Sequence, residues 1–143
     1  MRIEEFETNL KKRQERSRLQ FTLNPGANPE LISEAETRLG LLPDQVRLFY
    51  SQFNGLSVEA PALKIEGIDN LRKDKEGRIP FCRLGQDIIL SFDANEINEA
   101  WQWTIKNYET AYVVTLTMAN FWSNKIFGWL DRERRIWEPE EYP

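Results

Sequence analysis

The stretch LLPDQVRLFYSQFNG, residues 41–55, is bounded at both ends by residues that start or stop helices. Pro43 suits the first position of a helix, because its missing N–H is not needed there and its fixed φ is already helical. Large apolar side chains then recur three and four residues apart, which places them on one helix face. They are Val46, Phe49, Tyr50 and Phe53. Asn54 and Gly55 offer the left-handed conformation that ends a helix, so the stretch predicts a helix that needs a hydrophobic partner.

Two more helices are predicted before this one. Apolar residues with helical spacing predict a first helix over residues 3–16, whose far end is the charged run KKRQERSR. A second helix is predicted over residues 29–39, with Asn28 as its N-cap and Gly40 at its end. Its inward side chains are Leu31, Ile32, Ala35 and Leu39.

The segments around these helices are short. Residues 19–23 alternate between apolar and polar side chains, which is typical of a strand or an extended arm, so residues 1–28 make a helix and an arm. Only residues 40–42 separate the second helix from the Pro43 helix. The two helices therefore form a compact angled pair, and we expect Leu41 or Leu42 to fill the corner between them.

Beyond residue 55 the pattern changes to short β-like runs. Five strands are predicted, at residues 62–66, 79–84, 87–92, 99–105 and 111–116. Residues 84–87 are typical of a hairpin turn, and residues 69–78 of a polar surface loop. Thr117 can cap a last helix, and residues 131–143 form a polar tail. Helices, then strands, then a helix predict one α+β domain over residues 1–143, an antiparallel sheet flanked by N-terminal helices and a C-terminal helix.

The composition agrees with a single cytoplasmic domain. A chain of 143 residues has the size of one domain, and 41% hydrophobic and 12% aromatic residues can supply its core. The start MRIEEFETNLKK carries acids where a signal peptide needs an apolar run, and no apolar run is long enough to span a membrane. A single cysteine, Cys82, cannot form an intramolecular disulfide, as expected in a reducing compartment.

Several kinds of chemistry are disfavoured by residues that are missing or isolated. The chain has no histidine, which removes Ser–His and Cys–His catalysis and imidazole ligands for metals. Cys82 lies in a predicted strand and is interpreted as a buried, inert thiol. A net charge of −4 argues against a nucleic-acid partner, and KKRQERSR is interpreted as a solvated helix face. We therefore expect no enzyme activity, no cofactor and no metal site.

Carboxylates are the remaining candidates for chemistry. Residues 84–105 contain no Lys or Arg but contain four acids. These are Asp87, Asp93, Glu96 and Glu99. Paired acids serve hydrolysis or bind hard cations, but without a cleft they are more often a solvated acidic surface, which is our interpretation here.

Tryptophans stand beside these acids. Trp101 and Trp103 are two residues apart, so in a strand they would share one face with Ile105. Large aromatics usually fill cores, whereas exposed ones anchor protein partners, and both interpretations are open for this pair. The predicted partner-binding residues are Asp93, Glu96, Glu99, Trp101 and Trp103. Trp137 and Tyr142 in the tail raise the same question.

The block LISEAETRLGLLPDQVRLFYSQFNG, residues 31–55, resembles the opening motif of the SUKH superfamily. The matching positions are Ile32, Glu36, Leu39, Gly40, Leu42, Pro43, Tyr50, Phe53, Asn54 and Gly55. The runs FCRLGQDIILSFD and TLTMANFW resemble the family's middle hairpin and C-terminal helix, so the resemblance covers residues 29–130. Leu56 stands where the family often has a second glycine, and residues 94–107 follow no family pattern.

This resemblance implies a sheet packed with helices and a protein-binding function. Many bacterial members are immunity proteins that neutralise polymorphic toxins, often nucleases, and fungal members are regulatory scaffolds in cell-wall signalling. The first hypothesis is therefore stoichiometric binding of a toxin, which would be basic if it is a nuclease. A regulatory scaffold is the second hypothesis, and a carboxylate-dependent hydrolase is the third. Within the motif, we expect the Glu36 carboxylate to reach the free N–H groups where the Pro43 helix starts.

Overall fold

A computed structural model describes residues 1–140. Within that range the helices are α1 (Glu4–Ser17), α2 (Pro29–Leu39) and α3 (Asp44–Gln52). The strands are β1 (Phe21–Pro25), β2 (Phe53–Val58), β3 (Leu63–Ile65), β4 (Arg78–Leu84), β5 (Ile88–Asp93), β6 (Thr104–Asn107) and β7 (Val113–Thr115). The C-terminal helix, residues 118–132, consists of α-helical Met118–Asn120, a π-helical turn over Phe121–Lys125 and α-helical Ile126–Arg132.

The seven strands form one antiparallel sheet in which every strand lies next to its neighbours in sequence. Residues paired across four strands alternate between the two faces. One buried row runs through Leu56, Ile65, Cys82 and Leu90, while the next row, with Ser57, Lys64 and Arg83, is exposed. The alternation is that of a sheet with one face covered and the other open to solvent. The predicted α+β class is confirmed.

The helices cover the buried face of the sheet and share one hydrophobic core with it. Phe6 of α1 is fully buried among four other aromatic rings, with centroids 5.6 to 6.0 Å away. Those rings belong to Phe49, Phe53, Trp122 and Phe127. Because they come from α3, the start of β2 and the C-terminal helix, Phe6 joins the two ends of the chain.

In the pair of helices α2 and α3, the bounds of α2 agree with the local sequence signals, but the end of α3 does not. Helix α2 has the predicted bounds, and the Asn28 side chain accepts a hydrogen bond from the Leu31 N–H at 2.9 Å. Helix α3, however, ends at Gln52, and Phe53 is already extended (φ −141°, ψ 124°). The prediction that Asn54 and Gly55 end this helix is wrong, because both lie in β2 between β1 and β3.

Three features of the α2–α3 pair and the strand after it depend on the tertiary structure. Pro43 is the N-cap of α3, with an extended ψ of 152°, rather than its first helical residue. Leu42 fills the corner and is buried, whereas Leu41 is exposed. Gly55 has φ +113°, and a Cβ there would lie 2.9 Å from the Ile65 carbonyl oxygen, so only glycine fits between β2 and β3.

The strand predictions were correct for position but not for all bounds. Four of the five predicted runs match a strand to within two residues at each end, and the fifth overlaps β6 only at its last two residues. The prediction of a strand over residues 99–105 is wrong at its start, because β6 begins only at Thr104. Strand β2 was not predicted. The loop after β3 is less superficial than expected, since it contains a 3-10 turn (Ile68–Asn70) and the fully buried Leu71.

The last described residues return to the core. Trp137 is buried against Trp129, with ring centroids 5.4 Å apart, and its carbonyl accepts a hydrogen bond from the Asn107 amide at 3.1 Å. Trp137 is therefore part of the core and does not form an exposed patch in the tail. Tyr142 lies outside the described residues. None of the helices found in residues 1–140 has the length and apolar character needed to cross a membrane.

Candidate protein-binding surface

The motif around the helix pair supports the fold through identifiable contacts. One oxygen of the Glu36 carboxylate accepts hydrogen bonds from the Leu42 N–H and from the Arg47 guanidinium, both at 2.9 Å. Partial burial raises the pKa of the Glu36 carboxyl, but these hydrogen bonds and the Arg47 charge outweigh it and leave the pKa below its usual value. The carboxylate thus holds the corner just before α3, but it binds the N–H of the residue before the N-cap and not, as was expected, the free N–H groups of the helix start.

The end of the same motif braces the segment after β3. The Tyr50 hydroxyl donates to the Glu66 carbonyl at 2.9 Å, and the Asn54 side-chain oxygen accepts from the Ile68 N–H at 2.7 Å. Burial raises the pKa of Tyr50 well above its usual value, so the hydroxyl stays a proton donor. Ile32, Leu39, Leu42 and Pro43 are buried. The matching positions of the motif therefore build the fold, and the candidate site does not include them.

The connection between β5 and β6, residues 94–103, is organised by one side chain. The Asn98 side-chain oxygen accepts from the backbone N–H groups of Ala100 (2.8 Å) and Gln102 (3.2 Å). Its amide nitrogen donates to the Thr104 hydroxyl (3.1 Å) and to the Leu116 carbonyl (2.8 Å). These four bonds close the loop on itself and tie it to the segment after β7. Sequence reasoning missed Asn98 because nothing local indicates that Leu116 is its partner.

The closed loop presents Trp101 to solvent. Its side chain is 79% exposed, and its backbone has φ +59°, a left-handed conformation that is unusual for a bulky residue. The conformation is maintained by a hydrogen bond from the Trp101 N–H to the Asn98 carbonyl at 2.9 Å and by a return bond from the Asn98 N–H to the Gln102 carbonyl at 3.0 Å. The loop therefore fixes the backbone of an exposed indole.

Trp103 has the opposite environment. It is only 4% exposed, and its ring lies 5.6 Å from that of Phe92 in the core. The prediction that Trp101 and Trp103 share one face is wrong, because residues 99–103 form a loop rather than a strand. The core interpretation therefore applies to Trp103, which cannot contact a partner from its buried position. Trp101 alone remains as a candidate anchor.

The predicted acids do not form one cluster. Asp87 lies in the turn before β5 and Asp93 at the strand's other end, about 20 Å away at 3.3 Å per residue. Asp93 pairs with the Lys106 ammonium at 2.8 Å. Partial burial raises the pKa of Asp93, but the hydrogen bonds from Lys106 and the Asn95 N–H outweigh it and leave the pKa below its usual value. The uncompensated charge beside Trp101 comes from the exposed Glu96 and Glu99.

The other candidates from the sequence, Cys82 and the basic run KKRQERSR, lie in environments that a role in the fold explains. Burial, with a smaller contribution from the Glu66 charge, raises the pKa of the Cys82 thiol, which agrees with the predicted inert thiol. In the basic run, Arg13 binds the Asp131 carboxylate with two hydrogen bonds (2.7 and 2.9 Å) and lies 4.1 Å from the Phe127 ring centroid. Within the described 140 residues, no three Cys, Asp or Glu side chains are grouped so that they could hold a metal ion.

Two comparisons with known proteins found no match. No family model matches the chain, and no curated protein matches its sequence. The site must therefore be interpreted from its own geometry, which is a rigid, acidic loop with one exposed indole.

Proposed function

We propose that this protein is a non-enzymatic binding domain that covers a functional surface of another protein in a stoichiometric complex. The form that fits the SUKH-like block best is an immunity protein, the neutralising half of a toxin–antitoxin pair in the cytoplasm. The observation that carries the proposal is the exposed Trp101 indole on a left-handed backbone fixed by Asn98. Backbone strain of this kind persists where the surrounding structure maintains it, and it is often found at functional sites.

The energetics of such an indole favour binding. Covering a mostly exposed Trp removes about 150 to 200 Å² of apolar surface from water. At about 25 cal/mol per Å², this corresponds to about 4 to 5 kcal/mol before the costs of association. Because the Asn98 bonds already order the backbone, little further ordering is needed when a partner binds. Trp is also among the residues most often found as interface hot spots.

The charge of the loop indicates the kind of partner. Glu96 and Glu99 are exposed, and no Lys or Arg occurs in residues 84–105 to neutralise them. Acidic groups around an apolar anchor accelerate association with a basic protein and contribute to its selection. A basic toxin domain, such as a nuclease, would meet this description, and occlusion of its substrate-binding surface would neutralise it without chemistry.

The test is binding kinetics with the protein encoded by the neighbouring reading frame, measured over a series of salt concentrations. Trp101→Ala should accelerate dissociation by about 30-fold or more, as expected for a hot spot worth 2 kcal/mol or above. Charge reversal by Glu96→Lys with Glu99→Lys should slow association and flatten its salt dependence. Glu59→Lys, an exposed acid outside the loop, is the matched control and should change neither rate.

Two results would count against this proposal. If folded Trp101→Ala protein binds and releases the partner at the parent rates, the loop is not the interface. If the domain instead captures a host protein of the same cell and no toxin, the regulatory-scaffold hypothesis replaces the immunity role.

A further inference from the structure

Exposed apolar side chains are concentrated in three segments that are far apart in sequence. Within the described residues, seven large hydrophobic side chains are exposed, and four of them belong to these segments. Leu41, at the corner between α2 and α3, is 77% exposed, and Leu116, between β7 and the C-terminal helix, is 51% exposed. Ile97 and Trp101 belong to the β5–β6 loop.

Side-chain amides connect the three segments in a closed ring. The Gln102 side-chain oxygen accepts from the Gln45 N–H of α3 at 3.3 Å, and the Gln45 side-chain oxygen accepts from the Ala119 N–H at 2.8 Å. The ring closes through Asn98, which donates to the Leu116 carbonyl at 2.8 Å. These bonds bring the start of α3, the loop and the start of the C-terminal helix to one end of the molecule.

The charge around these three segments is acidic at the β5–β6 loop. Glu96 and Glu99 are exposed there, whereas Asp44, in the first turn of α3, is 94% exposed and pairs with the Arg47 guanidinium at 3.6 Å. Residues 39–46, 94–105 and 107–124 contain no Lys or Arg. Lys73 lies at the border, where its ammonium would be 3.8 Å from a Cβ placed on Gly40. The centre of this surface is thus apolar, with the acids Glu96 and Glu99 beside Trp101 and the cations Arg47 and Lys73 at the border near Leu41.

We propose that Leu41, Ile97, Trp101 and Leu116 form a single three-segment docking surface for a basic protein domain, which places an arginine side chain on the Trp101 indole. The proposal rests on the protein-binding function above and extends its footprint beyond the β5–β6 loop. A guanidinium stacks well on an indole face and can pair with the neighbouring carboxylates at the same time. A second copy of this chain would oppose acids with acids, and nucleic-acid phosphates would be repelled, so charge complementarity favours a basic protein.

The experiment uses two matched octapeptides, one alternating arginine with leucine and the other alternating glutamate with leucine. Each is titrated into the full, isotope-labelled chain, and backbone amide and indole NMR shifts are followed. The arginine peptide should shift the Leu41, Trp101 and Leu116 signals together, with one saturation curve. The glutamate peptide, equal in length and leucine content, should shift none of them.

Variants then test each segment separately. Leu41→Ser and Leu116→Ser should each weaken arginine-peptide binding roughly fivefold, which corresponds to about 1 kcal/mol of apolar contact. Trp101→Leu, which keeps an apolar side chain but removes the indole face, should weaken it by about three- to tenfold. Val113→Ser is the matched control and should change nothing, because Val113 is exposed opposite Lys106 in the sheet rather than in these segments.

Several outcomes would overturn the inference. These are equal binding of both peptides, shifts confined to the β5–β6 loop, concentration-dependent dimerisation lost in Trp101→Leu, and binding of a DNA or RNA oligonucleotide at the same signals. If the neighbouring gene's protein binds through the loop but ignores Leu41→Ser and Leu116→Ser, the proposed function stands and the three-segment surface does not. If that protein fails to bind while the arginine peptide gives the expected footprint, the surface stands and the proposed partner is wrong.

Discussion

The strain at Trp101 can be measured directly by comparing two substitutions at that position. Trp101→Ala keeps a Cβ on a backbone with φ +59°, whereas Trp101→Gly removes the Cβ that disfavours this conformation. Both variants lose the same mostly exposed indole, so the packing lost with it cancels in the comparison. The difference between their free energies of unfolding therefore reports the backbone alone.

The magnitude follows from two opposing effects. A left-handed conformation costs an L-residue with a Cβ roughly 1 to 2 kcal/mol, which only Trp101→Ala retains. Glycine in turn lowers stability by about 0.4 to 1 kcal/mol, because it gives the unfolded chain more freedom. We expect Trp101→Gly to be the more stable of the two by about 0.5 to 1 kcal/mol, a difference of about 2 to 3 °C in Tm for a chain of this size. At an ordinary backbone position the order is reversed.

Urea unfolding followed by circular dichroism provides the assay, with ΔG taken from the midpoints at a common slope. Ala100→Gly is the control, because Ala100 is exposed in the same loop and has no positive φ, so glycine there should cost about 0.4 to 1 kcal/mol. If Trp101→Ala equals or exceeds Trp101→Gly in stability, the loop does not impose the left-handed backbone. The argument for a fixed indole would then fail.

Two further predictions concern the core and the helix corner. Phe6→Ala should lower the free energy of unfolding by about 3 to 5 kcal/mol, because it opens a cavity among four aromatic rings, and an unchanged urea midpoint would contradict the described core. Glu36→Gln should cost about 1 to 2 kcal/mol at neutral pH, where the charged carboxylate binds Leu42 and Arg47. Because folding lowers the pKa of Glu36, this contribution exists above its usual value of 4.5 and is lost as the pH falls through the folded pKa. Unfolding measured between pH 3 and 7 should therefore show the difference between parent and variant shrinking in acid, and a constant difference would refute the assignment.

Local signals in the sequence were sufficient where the structure is determined locally. Helix α2 begins and ends as predicted, because Asn28 caps it through a residue three positions away and Gly40 ends it with φ +91°. The end of α3 could not be predicted in this way. Phe53 pairs with Pro25 of β1 in the sheet, so a contact distant in sequence takes this residue from the apolar face of the helix into β2. The same pairing explains why β2 was missed.

The candidate site was predictable in composition but not in geometry. Residues 84–105 contain acids and tryptophans but no Lys or Arg, so the sequence alone shows that the surroundings of Trp101 are acidic. The alternation of Trp101, Gln102 and Trp103 predicted a strand, but the Asn98 side chain closes these residues into a loop instead. One of its partners, the Leu116 carbonyl, lies in another segment. No local pattern could therefore assign one indole to solvent and the other to the core.

The length of the β5–β6 connection supports a role beyond the fold. Adjacent antiparallel strands need only about two to five residues between them, and residues 94–103 exceed that number. The other long connection, residues 66–77, has a structural reason for its length, since it delivers Ile68 and Leu71 to the core. Residues 94–103 also place the Trp103 ring in the core. Their strained backbone and the four hydrogen bonds of the Asn98 side chain, however, hold Trp101 in contact with solvent. Packing does not require that arrangement, whereas the proposed partner, by covering the indole, would account for it.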